Sequence, residues 1–476
     1  MTLLQHTISA DEIASFSEDL RDFAPYTVAR NAATSVGVRA AARNPEPYRE
    51  YHDTYSVSLS PVGHVTNQKK SGRCWLFATC NVLRDRLMGD LGTTDFELSQ
   101  AYLQFWDKLE KANLFLNEMV RLADQPLDSR EILEWFSMPA PDGGWWDMAV
   151  TLVEKYGVVP KGSMPDSFNA CDTADLNDLL ARKLRGDALK LRRAIADGSS
   201  EEAVDEMVAT ALSEVYRILC VTLGEPPKTF TLEYVADARK GLGEKPSENA
   251  SAQDLAAQKA AGACNPAFVR LADQTPKGFL AEHLQVNLHD YVVLGNVPGE
   301  SRPYEAILEK QYRWALDGVP TRTLNMPIEV LKDAVIAQLK AGHPVWFSCD
   351  VLKNMERTDP TGLLDTETLD WNALVGLDLT IGKADGFDTR EITCNHAMTF
   401  QGVNIGDDGK PTAWRVENTW GDEKCKKGYF IMTDRYFDAY VGQVVVHKDY
   451  LPAKVAALWE SPDSPVVQSS YWAPVA

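Results

Sequence analysis

The strongest candidate for a nucleophile in this sequence is a cysteine at the junction between a polar loop and a helix. Cys74 follows the stretch Asn67–Arg73, NQKKSGR, and precedes residues with helical periodicity. Unpaired backbone N–H groups and the helix dipole would stabilise a thiolate there, as would the three basic residues of that stretch if they point inward. A buried, purely structural cysteine is the commoner alternative. Cys80 fits that alternative because it lies on the apolar face of the same predicted helix.

A nucleophilic cysteine needs a base and a group that orients the base, and a predicted hairpin supplies candidates for both. Residues 396–403 and 412–418 alternate in polarity, and the sequence GDDG at 406–409 is typical of a hairpin turn. A hairpin centred on this turn places His396 opposite Asn418 within one or two residues. Opposite residues in a sheet have Cβ atoms about 4.5–5.5 Å apart, so the amide could hold the imidazole. The other histidines are expected to be surface or structural residues.

Composition and cysteine usage exclude several classes of protein. The 476 residues carry a net charge of −20, which argues against nucleic acid or an anionic membrane as a partner. No apolar run approaches the length of about 18 residues that a membrane span needs, and the first residues do not resemble a signal peptide. The eight cysteines include no CxxC pair, so no metal site is expected. We expect a reduced, cytoplasmic protein.

Helical patterns occupy the first two thirds of the chain, and strand patterns occupy the last third. The periodicity predicts helices from Ser71 onward, over 98–122 and over 146–156, and an antiparallel helical pair over 176–196 and 201–223. Strands are predicted at 343–350, 396–403, 412–417, 428–432 and 443–447. This order predicts an α+β fold in which a helical lobe faces a lobe built on a sheet.

Several motifs around these residues resemble a known family. The segments GRCW, NHAMTFQGV and VENTWGDEKCKKGYF are similar to those of papain-like cysteine peptidases. ELSQAYLQFWDKLEKAN, EKYGVVPK and FDAYVGQVVVHKDYL extend the resemblance, which points to the bleomycin hydrolase and aminopeptidase C branch and covers nearly the whole chain. The resemblance implies a two-lobed papain-like fold with a helical lobe, an antiparallel β lobe and a large helical insertion.

The resemblance implies a catalytic role for four residues. Cys74 attacks the scissile carbonyl as a thiolate, and His396 pairs with it as an imidazolium and then protonates the leaving amine. Asn418 orients His396. Gln68 donates its side-chain amide to the oxyanion together with the backbone N–H of Cys74, and the loss of one such donor costs about 2.7–4 kcal/mol.

Two neighbouring residues receive secondary roles from the same resemblance. Trp420 is expected to shield the contact between His396 and Asn418 from water. Asn395, directly before the histidine, is expected to bind substrate through its backbone carbonyl.

The spacing of the motifs suggests how the chain is divided. His396 follows Cys74 by 322 residues, whereas secreted papain-like enzymes have a gap of about 130–150 residues. The excess fits an insertion. The predicted segments are an N-terminal arm (1–60), a helical lobe with the nucleophile (61–160), a mainly helical insertion (161–330), a β lobe (331–455) and a C-terminal tail (456–476).

The function implied by the resemblance is hydrolysis of N-terminal residues from peptides with broad specificity by a cysteine aminopeptidase. No metal or organic cofactor is implied, the substrates are peptides, and the assembly is a homohexamer. Three alternatives stay open: an endopeptidase on the same scaffold, a Cys–His acyltransferase, and a non-catalytic binding protein. The intact set of four residues argues against the third.

The C-terminal tail bears on the choice between exopeptidase and endopeptidase. No charged side chain follows Asp463, so the carboxylate of Ala476 is the charge of this segment. In the branch that the chain resembles, the tail enters the active-site cleft and its carboxylate meets the free amine of the substrate. We therefore expect Ala476 to bind substrate, with a frayed terminus as the alternative.

Overall fold

The N-terminal arm is largely helical. The computed structural model describes residues 6–236, 267–310, 314–355 and 359–469. The helices of the arm are α1 (Ala10–Asp22), α2 (Tyr26–Val36), α3 (Val38–Ala41) and α4 (Pro47–Glu50). None of the residues in the first three of these helices is buried, so this part of the arm lies on the surface of the protein.

The helical lobe is built around one central helix. The helices of this lobe are α5 (Cys74–Leu91), α6 (Gln100–Arg121), α7 (Arg130–Ser137) and α8 (Trp146–Tyr156). These bounds agree with the predicted helices to within about two residues, apart from the start of α5 at Cys74. Helix α5 is buried on nearly every side because it lies between α6, α8 and the sheet.

The next segment contains the predicted antiparallel helical pair. The helices are α9 (Phe168–Cys171), α10 (Ala174–Ala196), α11 (Glu201–Leu223) and α12 (Pro276–His283). Helices α10 and α11 pack on each other and on α6, with leucines such as Leu180 and Leu184 fully buried. The Ala-rich stretch 249–263 lies outside the described residues.

The remaining helices flank the sheet in the last third of the chain. They are α13 (Ile328–Lys340), α14 (Trp371–Val375), α15 (Lys383–Thr389), α16 (Asp434–Tyr440) and α17 (Ala453–Glu460). None of the helices within the described residues is long and apolar enough to cross a membrane.

The strands form one large sheet and one small one. They are β1 (Val57–Ser58), β2 (Phe230–Val235), β3 (Phe268–Gln274), β4 (Tyr291–Gly295), β5 (Ala306–Lys310), β6 (Arg322–Asn325), β7 (Val345–Cys349), β8 (Leu363–Leu364), β9 (His396–Ile405), β10 (Pro411–Glu417), β11 (Tyr429–Thr433), β12 (Val441–His447) and β13 (Val466–Ser469). The large sheet has the order β13-β5-β6-β4-β12-β7-β9-β10-β11-β8, with β1 also paired to β9. Within the described residues, strands β2 and β3 pair only with each other.

The large sheet extends beyond the segment predicted for the β lobe. Strands β4, β5 and β6 come from 291–325, which the sequence analysis placed in the helical insertion, and β13 comes from the tail. Among the strands that the structure describes, three pairs are parallel, β4 with β6, β5 with β13 and β8 with β11, and the other pairs are antiparallel. The strands of 291–325 are short and pair with distant segments, so local periodicity does not reveal them.

The contact between α5 and the sheet determines where the two lobes meet. Helix α5 packs against β7 and β9, and the indole N–H of Trp346 on β7 donates to the backbone carbonyl of Trp75 at 3.3 Å. Both residues are about 1% exposed. The first turn of α5 is therefore held against the start of β9, where His396 begins the strand.

Candidate active site

The nucleophile and the base predicted from the sequence line the same pocket between the two lobes. The pocket has a volume of 350 Å³ and contains Cys74 and His396 on its walls. Asn395 lies at its exposed rim. Of the histidines among the described residues, His396 is the one that lines this pocket.

Cys74 is the first residue of α5, as the loop-to-helix junction predicts. Its side chain is partly exposed to the pocket and receives backbone N–H groups from Ala397, Trp75 and Cys74 itself. Burial raises the pKa of the Cys74 thiol, and these N–H groups act in the opposite direction. The contact with Ala397 places the thiol against the residue that follows His396.

The basic residues before Cys74 do not direct their charge at the thiol. Arg73 is 2% exposed and forms an ion pair with Asp166 at 2.7 Å. Lys70 is 85% exposed and Lys69 is also exposed. Backbone N–H groups at the start of α5 and of Ala397 on β9, rather than these side chains, are the groups that stabilise a thiolate.

His396 and Asn418 meet as the predicted hairpin implies. Nε2 of His396 lies 2.8 Å from Oδ1 of Asn418, which also accepts the backbone N–H of Thr419 at 2.7 Å. Since an amide oxygen can only accept, the proton of the neutral imidazole is on Nε2 and Nδ1 has the free lone pair. The predicted proximity of the two residues is therefore confirmed.

The register of the hairpin is offset from exact opposition by two residues, which is within the expected range. Glu417 pairs with Thr399, and a bulge lies between the pairs that Arg415 and Val416 form. Continuing this register, Asn418 lies two residues away from the position opposite His396. The two side chains still meet because the chain leaves the strand at Asn418.

The surroundings of His396 disfavour its charged form. Burial lowers the pKa of His396 to about 4, and the hydrogen bond to Asn418 acts in the opposite direction. The indole of Trp420 covers the imidazole, with ring centroids 5.1 Å apart, as expected for a shield. Burial thus favours a neutral thiol and a neutral imidazole when each is taken alone. A thiolate and an imidazolium formed together by proton transfer attract each other and offset that cost.

Gln68 lies beside the segment that holds Asn418. Its Oε1 accepts from Thr419 Oγ1 at 2.5 Å, and its backbone N–H donates to the Thr419 carbonyl at 2.7 Å. Its Nε2 donates to the carbonyl of Ser71 at 2.6 Å. An amide carries two N–H groups, so Gln68 has a second donor beyond the bond to Ser71.

The two predicted substrate-binding residues differ in what the structure describes. The side chain of Asn395 is engaged by its own lobe: Nδ2 donates to Asp350 at 2.6 Å, and Oδ1 accepts the Val351 N–H at 3.2 Å. These bonds hold Asn395 at the rim of the pocket. Ala476 lies outside the described residues.

A buried ion pair next to Asn418 was not anticipated from the sequence. Arg84 on α5 forms an ion pair with Glu417 at the end of β10, and both are at most 1% exposed. Gln401 donates to the second carboxylate oxygen at 2.7 Å. Burial raises the pKa of Glu417 against the opposing effect of Arg84. This pair ties the nucleophile's helix to the strand that leads into Asn418, and its partners are too far apart in sequence to leave a local signal.

The pocket wall also contains aromatic residues and a lysine that the sequence analysis did not select. Trp145, Trp314 and Trp346 line the pocket together with Lys310 at the end of β5. Burial lowers the pKa of Lys310 to about 7, and its ammonium lies 5.3 Å from the ring centre of Trp145. Among the described residues there is no cluster of three or more His, Cys, Asp or Glu side chains that could hold a metal.

Comparisons with known proteins agree with this geometry. The Peptidase C1-like family matches residues 7–249 and 266–476. Aminopeptidase G of Lactobacillus delbrueckii subsp. lactis is 40% identical over 94% of this chain and 95% of its own length. Aminopeptidase C of the same organism is 36% identical over 98% of both chains, and aminopeptidase C of Listeria innocua is 38% identical over 93% of both.

A solved structure extends the likeness to the fold. The crystal structure of pepw from Lactobacillus rhamnosis matches with a TM-score of 0.88 and 37% identity over 98% of both chains. The α+β, papain-like fold class predicted from the sequence is thereby confirmed, as is the resemblance to the bleomycin hydrolase and aminopeptidase C branch. The chain belongs to the Peptidase C1-like family.

Proposed function

We propose that this cysteine-type aminopeptidase works through Cys74 as nucleophile, His396 as base and acid, Asn418 as orienting group and Gln68 as oxyanion donor. The observation that carries the proposal is the 2.8 Å contact between His396 Nε2 and Asn418 Oδ1 in a pocket that His396 shares with Cys74. This contact leaves Nδ1 of the imidazole to exchange a proton with the thiol.

We assign the steps of the reaction to these residues as follows. Nδ1 of His396 takes the proton from Cys74, and the sulfur attacks the carbonyl carbon of the scissile bond. The Cys74 backbone N–H and the second amide N–H of Gln68 donate hydrogen bonds to the negatively charged carbonyl oxygen. The imidazolium then protonates the leaving amine, and a water molecule activated by the same imidazole hydrolyses the thioester.

The path of the chain after α17 supports a role for the tail in selecting free N-termini. Strand β13 runs parallel to β5, and Ser469 pairs with Lys310, a residue of the pocket wall. The chain therefore reaches the edge of the catalytic pocket at Ser469. We assign the segment 470–476 as the part that blocks longer substrates, and Asn395 as a backbone contact for the substrate.

A comparison of blocked and free peptides tests both assignments. The parent enzyme should shorten a peptide from its free N-terminus and leave the N-acetylated peptide intact, and Cys74→Ala should do neither. A variant that ends at Ser469 should lose aminopeptidase activity and begin to cut the acetylated peptide. If the parent already cuts the acetylated peptide and the truncation changes nothing, the endopeptidase alternative takes the place of this proposal.

The exposed apolar residues of the arm support self-association. Phe16 and Val28 on α1 and α2 are 55% and 74% exposed, and Leu377 in the adjoining segment is 62% exposed. Exposed apolar surface is often found where proteins associate. We propose a homohexamer in which these residues contact a second copy. Light scattering should give six times the 52.8 kDa of one chain, and a mass near 52.8 kDa in dilute solution would contradict the assembly.

The state of the cysteines supports a reducing compartment. The seven cysteines within the described ranges are free, and the proposed nucleophile is one of them. A catalytic thiol persists in the cytoplasm, where thiols are kept reduced. We propose a cytoplasmic enzyme, which fractionation of cells that produce the protein would test.

A further inference from the structure

A loop without regular structure forms one wall of the catalytic pocket. We call residues 140–144, APDGG, the wall loop; its residues 141–144 line the pocket together with Cys74. The loop approaches α5 so closely that a Cβ atom at Gly144 would lie 2.6 Å from the Trp75 side chain. Because the wall loop lacks a helical or sheet ladder, its carbonyls must find other partners.

Two buried lysines on α6 provide those partners. Lys111 Nζ donates to the carbonyls of Pro141 and Gly143 at 2.7 and 2.8 Å, and to Asp107 Oδ2 at 2.7 Å. Lys108 Nζ donates to the carbonyl of Ala140 at 2.9 Å and contacts Asp142 Oδ1 at 2.8 Å. Both lysines are at most 1% exposed. The three bonds of Lys111 use all three N–H groups of an ammonium, and a neutral amine could make only two of them.

The wall loop is in turn bound to the residues before the nucleophile. Asp142 Oδ2 accepts the backbone N–H of Gly72 at 3.1 Å and the hydroxyl of Thr173 at 2.5 Å. The Gly143 N–H donates to the Gly72 carbonyl at 3.0 Å. Both polar backbone groups of Gly72, two residues before Cys74, are therefore held by the wall loop. A displacement of the loop would move the first turn of α5 as well as the pocket wall.

We propose that Lys108 and Lys111 are positioning residues for peptide hydrolysis, which hold the wall loop and, through Asp142, the approach to Cys74 in one fixed geometry. The proposal rests on the proposed function, because it assigns the lysines a part in that reaction. Neither lysine contacts the reacting atoms. Their effect on the rate comes from alignment, and a misplacement of about 1 Å can cost a factor of about 100.

The charge of Lys111 makes this alignment sensitive to pH. Burial lowers the pKa of Lys111 to about 8, although Asp107 raises it. The charged groups that face Lys111 are Asp107 and Lys108 on its own helix and Asp142 on the wall loop. The ammonium also packs against two tryptophan indoles, one on α5 and the other that of residue 314. Neither indole carries a charge. As the pH rises through about 8, Lys111 loses the third N–H donor and with it one bond to the wall loop or to Asp107.

Three variants test the proposal in the full-length enzyme. Lys111→Met removes the ammonium, Lys111→Arg keeps a charge that does not titrate in this range, and Lys332→Met is the control. Lys332 is a largely buried lysine that forms ion pairs with Asp434 and Asp438 at 2.7 and 2.6 Å and does not line the pocket. The assay is kcat and kcat/KM on an aminoacyl arylamide across the pH range in which each protein stays folded, together with Tm.

The expected result is a loss of about 100-fold in kcat/KM for Lys111→Met, with the Lys332→Met value close to that of the parent. The alkaline decline of kcat in the parent, centred near the Lys111 pKa of about 8, should move to higher pH in Lys111→Arg; kcat is compared because the free amine of the substrate titrates in the same range and affects kcat/KM. Equal losses in the two Met variants, or an unchanged alkaline decline in Lys111→Arg, would overturn the proposal. The arginine comparison stands even if Lys111→Met does not fold. Failure of the proposed function shows separately, as activity that survives Cys74→Ala.

Discussion

Removal of the Asn418 side chain tests the geometry of the active site most directly. In Asn418→Ala the Nε2–H of His396 loses its partner at 2.8 Å, while the site is closed to water on one face by Trp420. Leaving a buried donor unpaired costs about 1–3 kcal/mol. The side-chain amide nitrogen of Asn418 forms no hydrogen bond with the described residues, so the substitution removes only the hydrogen bonds that Oδ1 accepts.

That cost translates into a rate. If this free-energy cost applies to the state in which the imidazole is aligned for catalysis, kcat/KM should decrease by about 5- to 150-fold, since about 1.4 kcal/mol corresponds to a factor of ten. His396→Ala removes the base itself and should be slower still. The assay is arylamine release from an aminoacyl arylamide, with Tm measured for each variant.

A second asparagine of the same hairpin provides the matched control. Asn404 near the turn donates to Thr412 Oγ1 at 2.9 Å and lies at the opposite end of β9 from His396. Asn404→Ala should leave kcat/KM close to the parent value. The reasoning would be refuted if Asn418→Ala matched this control, or if it were as inactive as His396→Ala.

Three further predictions concern the thiols, the oxyanion donor and pH. Iodoacetamide followed by mass mapping should label Cys74 before Cys80, because Cys80 is 1% exposed and burial raises its pKa to about 12; faster labelling of Cys80 would contradict the assignment. Gln68→Ala should lower kcat more than it raises KM, since the oxyanion exists only in the transition state, whereas a change in KM alone would indicate a substrate contact. Asp147 lies in the first turn of α8 and accepts the backbone N–H of Arg322 at 3.0 Å, and Asp147→Asn should raise Tm more at alkaline than at acid pH. Burial raises the pKa of Asp147 to about 7, so the stability associated with its protonated form is lost as the pH rises through that value, and an amide does not titrate; equal shifts at both pH values would contradict this.

The helices and the catalytic hairpin could be predicted because their signals are local. Helix α8 begins and ends where the pattern from Trp146 to Tyr156 places it, and the helical pair α10 and α11 agrees to within two residues. The turn at 406–409 brings His396 and Asn418 together, and a spacing of 22 residues around one turn leaves little freedom. The catalytic roles of these residues remain predictions.

The division of the chain into a helical insertion and a separate β lobe could not be predicted correctly from local sequence signals. Strands β4, β5 and β6 are four or five residues long, and the outer partners of β4 and β5, which are β12 and β13, lie more than a hundred residues further along the chain. Short strands that are buried on both faces do not alternate in polarity. Their membership of the large sheet is therefore decided by pairing rather than by pattern.

The sequence by itself determined the family, the fold class and the longest helices, and it supplied Gln68, Cys74, His396 and Asn418 as candidate site residues, because motifs and periodicity are properties of neighbouring residues. Tertiary structure alone decided which charges act at the site. Arg73, next to the thiol, is paired with Asp166, whereas the Arg84–Glu417 pair joins residues that are 333 positions apart. The wall loop is likewise held in place by Lys108 and Lys111, which lie on α6 some thirty residues earlier in the chain. Burial and pairing set the energy of a charge, and both depend on what the fold places beside it.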